Sequence, residues 1–383
     1  METKTIWLDG KLVSSAEATC AISCASLAGG MVVLEDAPLF TNERGSFVFR
    51  VDDHVKQFAR SAKIAHIELP YTSSKLAKAA LKVAKASVAN GHDEGVVRFV
   101  AYFTGVASAD RLLPLGDEPS VAVFCMPFSS EGDLASAESD AYSGCGDSLS
   151  DDDGLCRVAD RPSSLDEVSS GEEGALSSKG DSSRGVPCDA CDGASGKAND
   201  PNFAVDSEMV TAGISSWRAI SNNALPPQAE LAASRANAVF ALREARLRGF
   251  DEPILLNEAG DVCSGARKAV FAVRDGVLST PPLACGVRES VERDTVINFA
   301  MDLDIPVVEE CMTRADLCIA DELFLCDVMR GVVAVSSIDG CAIGKPGKTG
   351  PKPGPITKAI QERYAKMLAG KLDEYAAWIA QVE

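Results

Sequence analysis

A long stretch in the middle of this chain cannot help to build a core, and that constrains what the rest can fold into. Between residues 129 and 200 there are 17 acidic and 5 basic residues, Ser, Gly and Asp dominate, and Tyr142 is the sole aromatic. Such a segment buries too little apolar surface to offset the entropy lost on ordering, so 129–204 reads as a disordered acidic insertion. It supplies 12 of the 19 net negative charges of the 383-residue chain. The fold must then come from the flanking blocks, 1–128 and 205–383, which together are long enough for two cores. We expect an N-terminal α+β domain over 1–128 and a C-terminal α/β domain over 205–383.

Local signals in both blocks alternate between strand and helix. Asp9-Gly10, Asp275-Gly276 and Asp339-Gly340 each separate apolar runs, and an Asp-Gly pair tolerates the positive φ of a tight hairpin turn. Phe47 to Arg50, Val96 to Phe103, Val121 to Met126, Glu252 to Leu256, Val270 to Val273 and Pro306 to Val308 read as strands. Val55, Phe58, Ala62 and Ala65 have helical spacing, as do Leu76, Ala80, Val83 and Val88, a run that stops at Asn90-Gly91. Helices are also expected from Pro226-Pro227 towards Gly249, over Val291 to Leu303, and after Pro355. Thr313 to Asp316 has the form of a capping box. Interleaved strands and helices indicate an α/β or α+β protein.

The net charge of -19 argues against nucleic acid or an anionic membrane as a partner. No apolar run reaches membrane-spanning length, and the polar start Met1 to Lys4 does not read as a signal peptide, so the cytoplasm is the expected compartment. The 13 cysteines are irregularly spaced and read as reduced small hydrophobes. Cys188 and Cys191 form a lone CxxC. Cys145 and Cys156 are irregularly placed as further ligands and no histidine is near, so no metal site is expected. His54, His66 and His92 are scattered, and His54 reads as a helix-start residue.

Several segments, in order, resemble the branched-chain-type class IV aminotransferases. They include Ile6 to Gly10, Phe49-Arg50 with His54, Ser61 to Lys63, Ser215 to Arg218, Asn223 to Pro226 and Glu244 to Arg246. Further matches are Val273 to Leu278, Thr280 to Pro282, Arg293-Asp294, Ala320 to Glu322 with Phe324, Ile338 to Gly340 and Gly354 to Lys358. The resemblance implies the D-amino-acid/branched-chain aminotransferase-like fold (pyridoxal phosphate fold type IV), pyridoxal phosphate as cofactor, and a homodimer. It also places the insertion in the interdomain loop. The family moves an amino group from an amino acid to a 2-oxo acid, using a cofactor imine on a lysine.

Residue by residue, the site implied by the resemblance is degenerate. The lysine position falls on Glu230, which cannot form an imine, and no lysine occurs between Lys197 and Lys268. The ring-oxygen tyrosine corresponds to Arg235, and the ring-nitrogen glutamate to Ser264. A Gly-Glu-Asn run corresponds to Arg267-Lys268-Ala269. The phosphate turns correspond to Ser290-Val291-Glu292 and Asp327-Val328-Met329, placing carboxylates where a phosphate dianion would sit. A substrate-side tyrosine appears as Gly29. Arg50 remains as a candidate phosphate ligand, and Arg98 matches a second family arginine.

Three readings stay open on sequence. The first is a pseudoenzyme that has lost the Schiff-base lysine and kept a binding or assembly role, with pyridoxal phosphate not covalently held and the acidic insertion as a protein-contact element. The second is an active aminotransferase with a rearranged site, using Lys268. In the third, Glu230 faces a cation such as Arg235 and acts as an acid or base.

Overall fold

The computed structural model describes residues 4–106, 118–128, 209–344 and 352–382. These belong to one unit, Met1–Phe128 with Ala198–Glu383. The acidic segment 129–204 and its CxxC lie outside the described residues.

Six strands come from the first block: β1 (Thr5–Leu8), β2 (Lys11–Ser14), β3 (Val32–Asn42), β4 (Gly45–Phe49), β5 (Gly95–Tyr102) and β6 (Ser120–Pro127). Nine more follow from the second: β7 (Val210–Arg218), β8 (Glu252–Leu256), β9 (Val262–Gly265), β10 (Ala269–Arg274), β11 (Val277–Thr280), β12 (Val307–Glu309), β13 (Glu322–Asp327), β14 (Gly331–Ile338) and β15 (Cys341–Ala342). A last strand, β16 (Ile379–Gln381), returns to the first sheet. That sheet is antiparallel in the order β16-β4-β3-β5-β6-β1-β2. The second is mixed, β12-β11-β10-β13-β14-β7-β8-β9, with β15 beside β14.

The three Asp-Gly hairpins form as their chemistry predicts. Asp9, Asp275 and Asp339 sit at φ 45°, 50° and 48°, each followed by a glycine at positive φ. The capping box also forms: Thr313 Oγ1 accepts from Asp316 N–H while the Asp316 carboxylate accepts from Thr313 N–H. Helices occupy Val51–Ile64, Ser73–Ala89, Ala232–Leu247, Val291–Asp302 and Pro355–Leu368. The long strand β3, with β13, β14 and β16, does not stand out in the sequence. The partner of β16 is remote, and β3 and β13 are buried on both faces, so they lack a period of two.

One core packs Phe58, Leu76 and Val83 from two helices onto Val33, Val97, Phe99 and Val123 of the first sheet, with Leu231 inserted from the second block. Another fills the second sheet with Val210, Ile254, Val270, Leu323 and Val333. A third joins the sheets: Phe40, Phe47 and Phe49 meet Phe271, Phe299, Phe324 and Tyr364. Each fully buried aromatic or aliphatic side chain contributes about 1.5–3 kcal/mol, so this shared core ties the two sheets together.

Helix Pro355–Leu368 is anchored to β13 by Glu322. Its buried carboxylate accepts from the Ile356 and Thr357 N–H groups and from the Thr357 hydroxyl, capping the helix from a neighbouring strand. Gly354 permits that approach, because an added Cβ would lie 2.1 Å from Glu322 Cδ. We expect Glu322→Ala to lower unfolding free energy by about 2–4 kcal/mol, since it strands three donors, two of them on the buried Thr357. Chemical denaturation tests this, and a loss below about 0.5 kcal/mol contradicts it.

Candidate functional site

Glu230 lies just before helix Ala232–Leu247, with its backbone fixed against the first sheet. Leu34 N–H donates to Glu230 O at 2.9 Å, and Glu230 N–H donates to Ser61 Oγ at 3.2 Å. The neighbouring Leu231 pairs with Val33 in an isolated bridge. This lays the buried Glu230 carboxylate beside β3, whose consecutive acids Glu35 and Asp36 are also buried.

Four guanidiniums converge on these three carboxylates. Glu230 Oε1 meets Arg235 Nε at 2.8 Å and Arg267 Nε at 3.3 Å, while Glu230 Oε2 meets Arg288 Nη1 at 3.1 Å. Arg288 Nη2 continues to Glu35 Oε2 at 2.6 Å. Asp36 is held by a two-pronged contact from Arg98, at 2.7 and 2.9 Å, and by Arg235 and Arg267 at 3.1 and 3.0 Å. Arg98 stands opposite Asp36 in the β3–β5 register, so sheet pairing itself sets that contact. At the far end, Glu35 Oε1 lies 2.9 Å from Nδ1 of the fully buried His54.

Burial alone would raise the carboxyl of Glu230, but Arg288, Arg267 and Arg235 reverse this and hold it below the usual carboxylate range. Burial acts likewise on Asp36, where Arg98, Arg235 and Arg267 hold the carboxyl well below its ordinary value. Arg288 is driven up by Glu35 and Glu230 against its own burial. Arg235 is lowered by burial, with Arg267 adding to the effect. Both carboxylates are therefore ionised, and each is spoken for by several cations.

The other positions singled out in the sequence have separate partners. Lys268 Nζ is clamped by Glu252 and by Asp327 at 3.1 Å. Asp327 Oδ1 also accepts from Met329 N–H at 2.7 Å and Arg330 N–H at 2.6 Å. Ser264 lies in β9 opposite Leu255. Glu292 is buried in the first turn of helix Val291–Asp302, its Oε1 3.7 Å from His54 Nε2, and neither atom has a hydrogen-bond partner. Ser290 caps that helix by accepting from Arg293 N–H. Arg50 has φ 43° and lies over the Trp378 ring, and its guanidinium reaches Asp53 at 2.8 Å, Asp294 at 2.7 Å and Thr295 Oγ1 at 3.0 Å. Gly29 ends the short helix Ala25–Gly29.

The structure thus brings together Glu230, Arg235, Arg267 and Arg98, and adds Glu35, Asp36, Arg288 and His54, which sequence reasoning did not join to the site. A signal existed. Two acids inside the otherwise apolar run from Val32 to Phe40 are buried charges and require partners.

A family model described as amino-transferase class IV matches residues 176–338. The branched-chain-amino-acid aminotransferase of Escherichia coli is 32% identical over 173 residues, 45% of this chain; the match spans about half of that relative's length, 54%. That of Pseudomonas aeruginosa is 24% identical over 373 residues, covering 97% of this chain and 95% of the relative. The crystal structure of the branched-chain aminotransferase from Thermoproteus uzoniensis with norvaline superposes with a TM-score of 0.74 at 29% identity, covering 100% of each chain. The Escherichia coli branched-chain aminotransferase structure has a TM-score of 0.75 at 22% identity, again over 100% of each, and speaks for the fold. Over residues 176–338 the chain matches the class IV aminotransferase family model, and its fold is that of the branched-chain aminotransferases.

Solved relatives carry pyridoxamine 5'-phosphate or a phosphopyridoxyl adduct. The residues described here do not fit such a group. The Glu230 carboxylate offers no amine and is saturated by three guanidiniums. A buried carboxylate oxygen of Glu292 has no donor, and Asp327 already takes two turn N–H groups, so an added dianion would meet negative charge at both places.

Removing one partner from a buried ion cluster leaves the others uncompensated, so Glu230→Ala is expected to cost about 3–5 kcal/mol of stability. The folded pKa values of Glu230 and Asp36 lie below those of the unfolded chain. Their stabilisation is therefore complete above about pH 5 and is lost as pH falls through and below the carboxylate range near 4. Unfolding curves between pH 7 and 3 test both points. Glu230→Gln should flatten the acid limb, and an unchanged slope contradicts the assignment.

Proposed function

We propose that this chain is a branched-chain-aminotransferase-like pseudoenzyme, in which an ion cluster replaces the cofactor site and transamination is lost. The observation that carries the reading is the buried Glu230 carboxylate, held by Arg235, Arg267 and Arg288 at the position matched to the family lysine. The fold is kept for a binding or assembly role. In this reading the chain forms a homodimer in the cytoplasm, with domains over 1–128 and 205–383 and the acidic insertion 129–204 as a protein-contact element.

Physical arguments weigh against the two active readings. An imine-forming amine must be unprotonated to attack, whereas Asp327 and Glu252 raise the Lys268 ammonium against its burial. An acid–base role needs a pKa near the working pH, and the arginines move Glu230 the other way.

Incubation with pyridoxal phosphate, dialysis and borohydride reduction tests the proposal. It predicts no retained aldimine absorbance and no reduced adduct in peptide maps; a stoichiometric adduct on Lys268 would overturn it. Restoring the amine by Glu230→Lys should give no transamination of branched-chain amino acids, because Arg235, Arg267 and Arg288 would then face a fourth cation. It should also lower the unfolding midpoint. Activity in that variant would show that the rest of the site is intact.

A further inference from the structure

Away from the ion cluster, a pair of thiols is brought together by two anchored loops. Cys285 ends the turn after β11, where its N–H donates to Pro282 O at 3.0 Å and its carbonyl accepts from Cys263 Sγ at 2.6 Å. Cys311 follows β12. On either side of it Glu310 N–H donates to Thr280 O at 3.1 Å, and Met312 O accepts from Val262 N–H at 2.8 Å. Backbone pairing therefore holds both segments, and it places Cys285 Sγ 3.2 Å from Cys311 Sγ. Cys285 is buried and Cys311 is exposed, so the pair has one buried and one accessible partner.

We propose that Cys285 and Cys311 form a redox modification site that closes to a disulfide on exposure to a peroxide. The accessible Cys311 thiolate attacks a peroxide oxygen, the O–O bond breaks, and a sulfenic acid and one water result. The Cys285 sulfur then attacks Cys311 Sγ, the S–S bond forms, and the sulfenic oxygen leaves with a proton as a second water. Two thiols lose two electrons and two protons, and hydrogen peroxide is reduced to two waters.

Exposure sets the order of these steps. Burial, reinforced by Cys311 and Asp261, lifts the Cys285 thiol to about 12, so the accessible sulfur reacts first. Asp261 lies close enough to complete a three-donor set for a cation. A disulfide is favoured because two thiolates on tetrahedral zinc stand about 3.8 Å apart, as follows from a Zn–S bond of about 2.3 Å, and these sulfurs are already closer. The crosslink would also pin the loop that delivers Arg288, three residues beyond Cys285, to Glu230 and Glu35. The inference does not depend on whether Glu230 is catalytic.

The test uses the full chain, treated with hydrogen peroxide, blocked with a maleimide and digested without reductant. The expected product is one crosslinked species joining the peptides of Cys285 and Cys311, lighter by two hydrogens than their sum and abolished by a thiol reductant. Cys285→Ser should leave a sulfenic acid on Cys311 that dimedone traps, and Cys311→Ser, a substitution at an exposed site, should leave Cys285 reduced. Oxidised wild type should unfold several degrees higher than reduced wild type, with no such shift in Cys311→Ser. Separate alkylation of both cysteines overturns the proposal. So does retention of one equivalent of added zinc that shields both thiols from peroxide.

Discussion

Three arginines from three different segments meet one carboxylate, and the middle of this protein is organised around that meeting. Arg235 comes from the start of a helix, Arg267 from the turn between β9 and β10, and Arg288 from the loop before helix Val291–Asp302. Glu230 itself is fixed to β3 and to helix Val51–Ile64 by its backbone. Burying any of these charges alone would cost several kcal/mol. Together with Glu35, Asp36 and Arg98 they offset one another's charge, so the cluster is tolerated as a unit and specifies one arrangement of the surrounding segments.

The same electrostatics govern the other buried acids. The buried Glu230 carboxylate would be costly alone, and Arg235, Arg267 and Arg288 supply the compensating cations. Asp327 accepts the N–H groups of its own turn, and Glu292 is buried beside His54.

Local chemistry was legible in the sequence. Asp-Gly turns, the Thr313 capping box and Pro355 at a helix start each act over a few residues, and each formed as expected. The family resemblance singles out Glu230, Arg235 and Arg267, and the structure brings the three together. Arg288, Glu35 and Asp36 escaped because their importance lies in contacts between residues up to 253 positions apart, which no local pattern encodes. Strand β16 escaped for the same reason, since its partner β4 lies at the other end of the chain. Arg50 illustrates the opposite case. Its position pointed to a phosphate ligand, yet its guanidinium is engaged by Asp53, Asp294 and Thr295.

The most direct test of a structural role for Glu230 is a double-mutant cycle with Arg288, read by equilibrium unfolding. At a Glu230–Arg288 separation of 3.1 Å within a buried cluster, the single alanine variants should fail to add, with a coupling energy of about 1–3 kcal/mol. Additivity within about 0.5 kcal/mol would mean that the two side chains do not depend on each other, and would contradict an ion cluster built on Glu230.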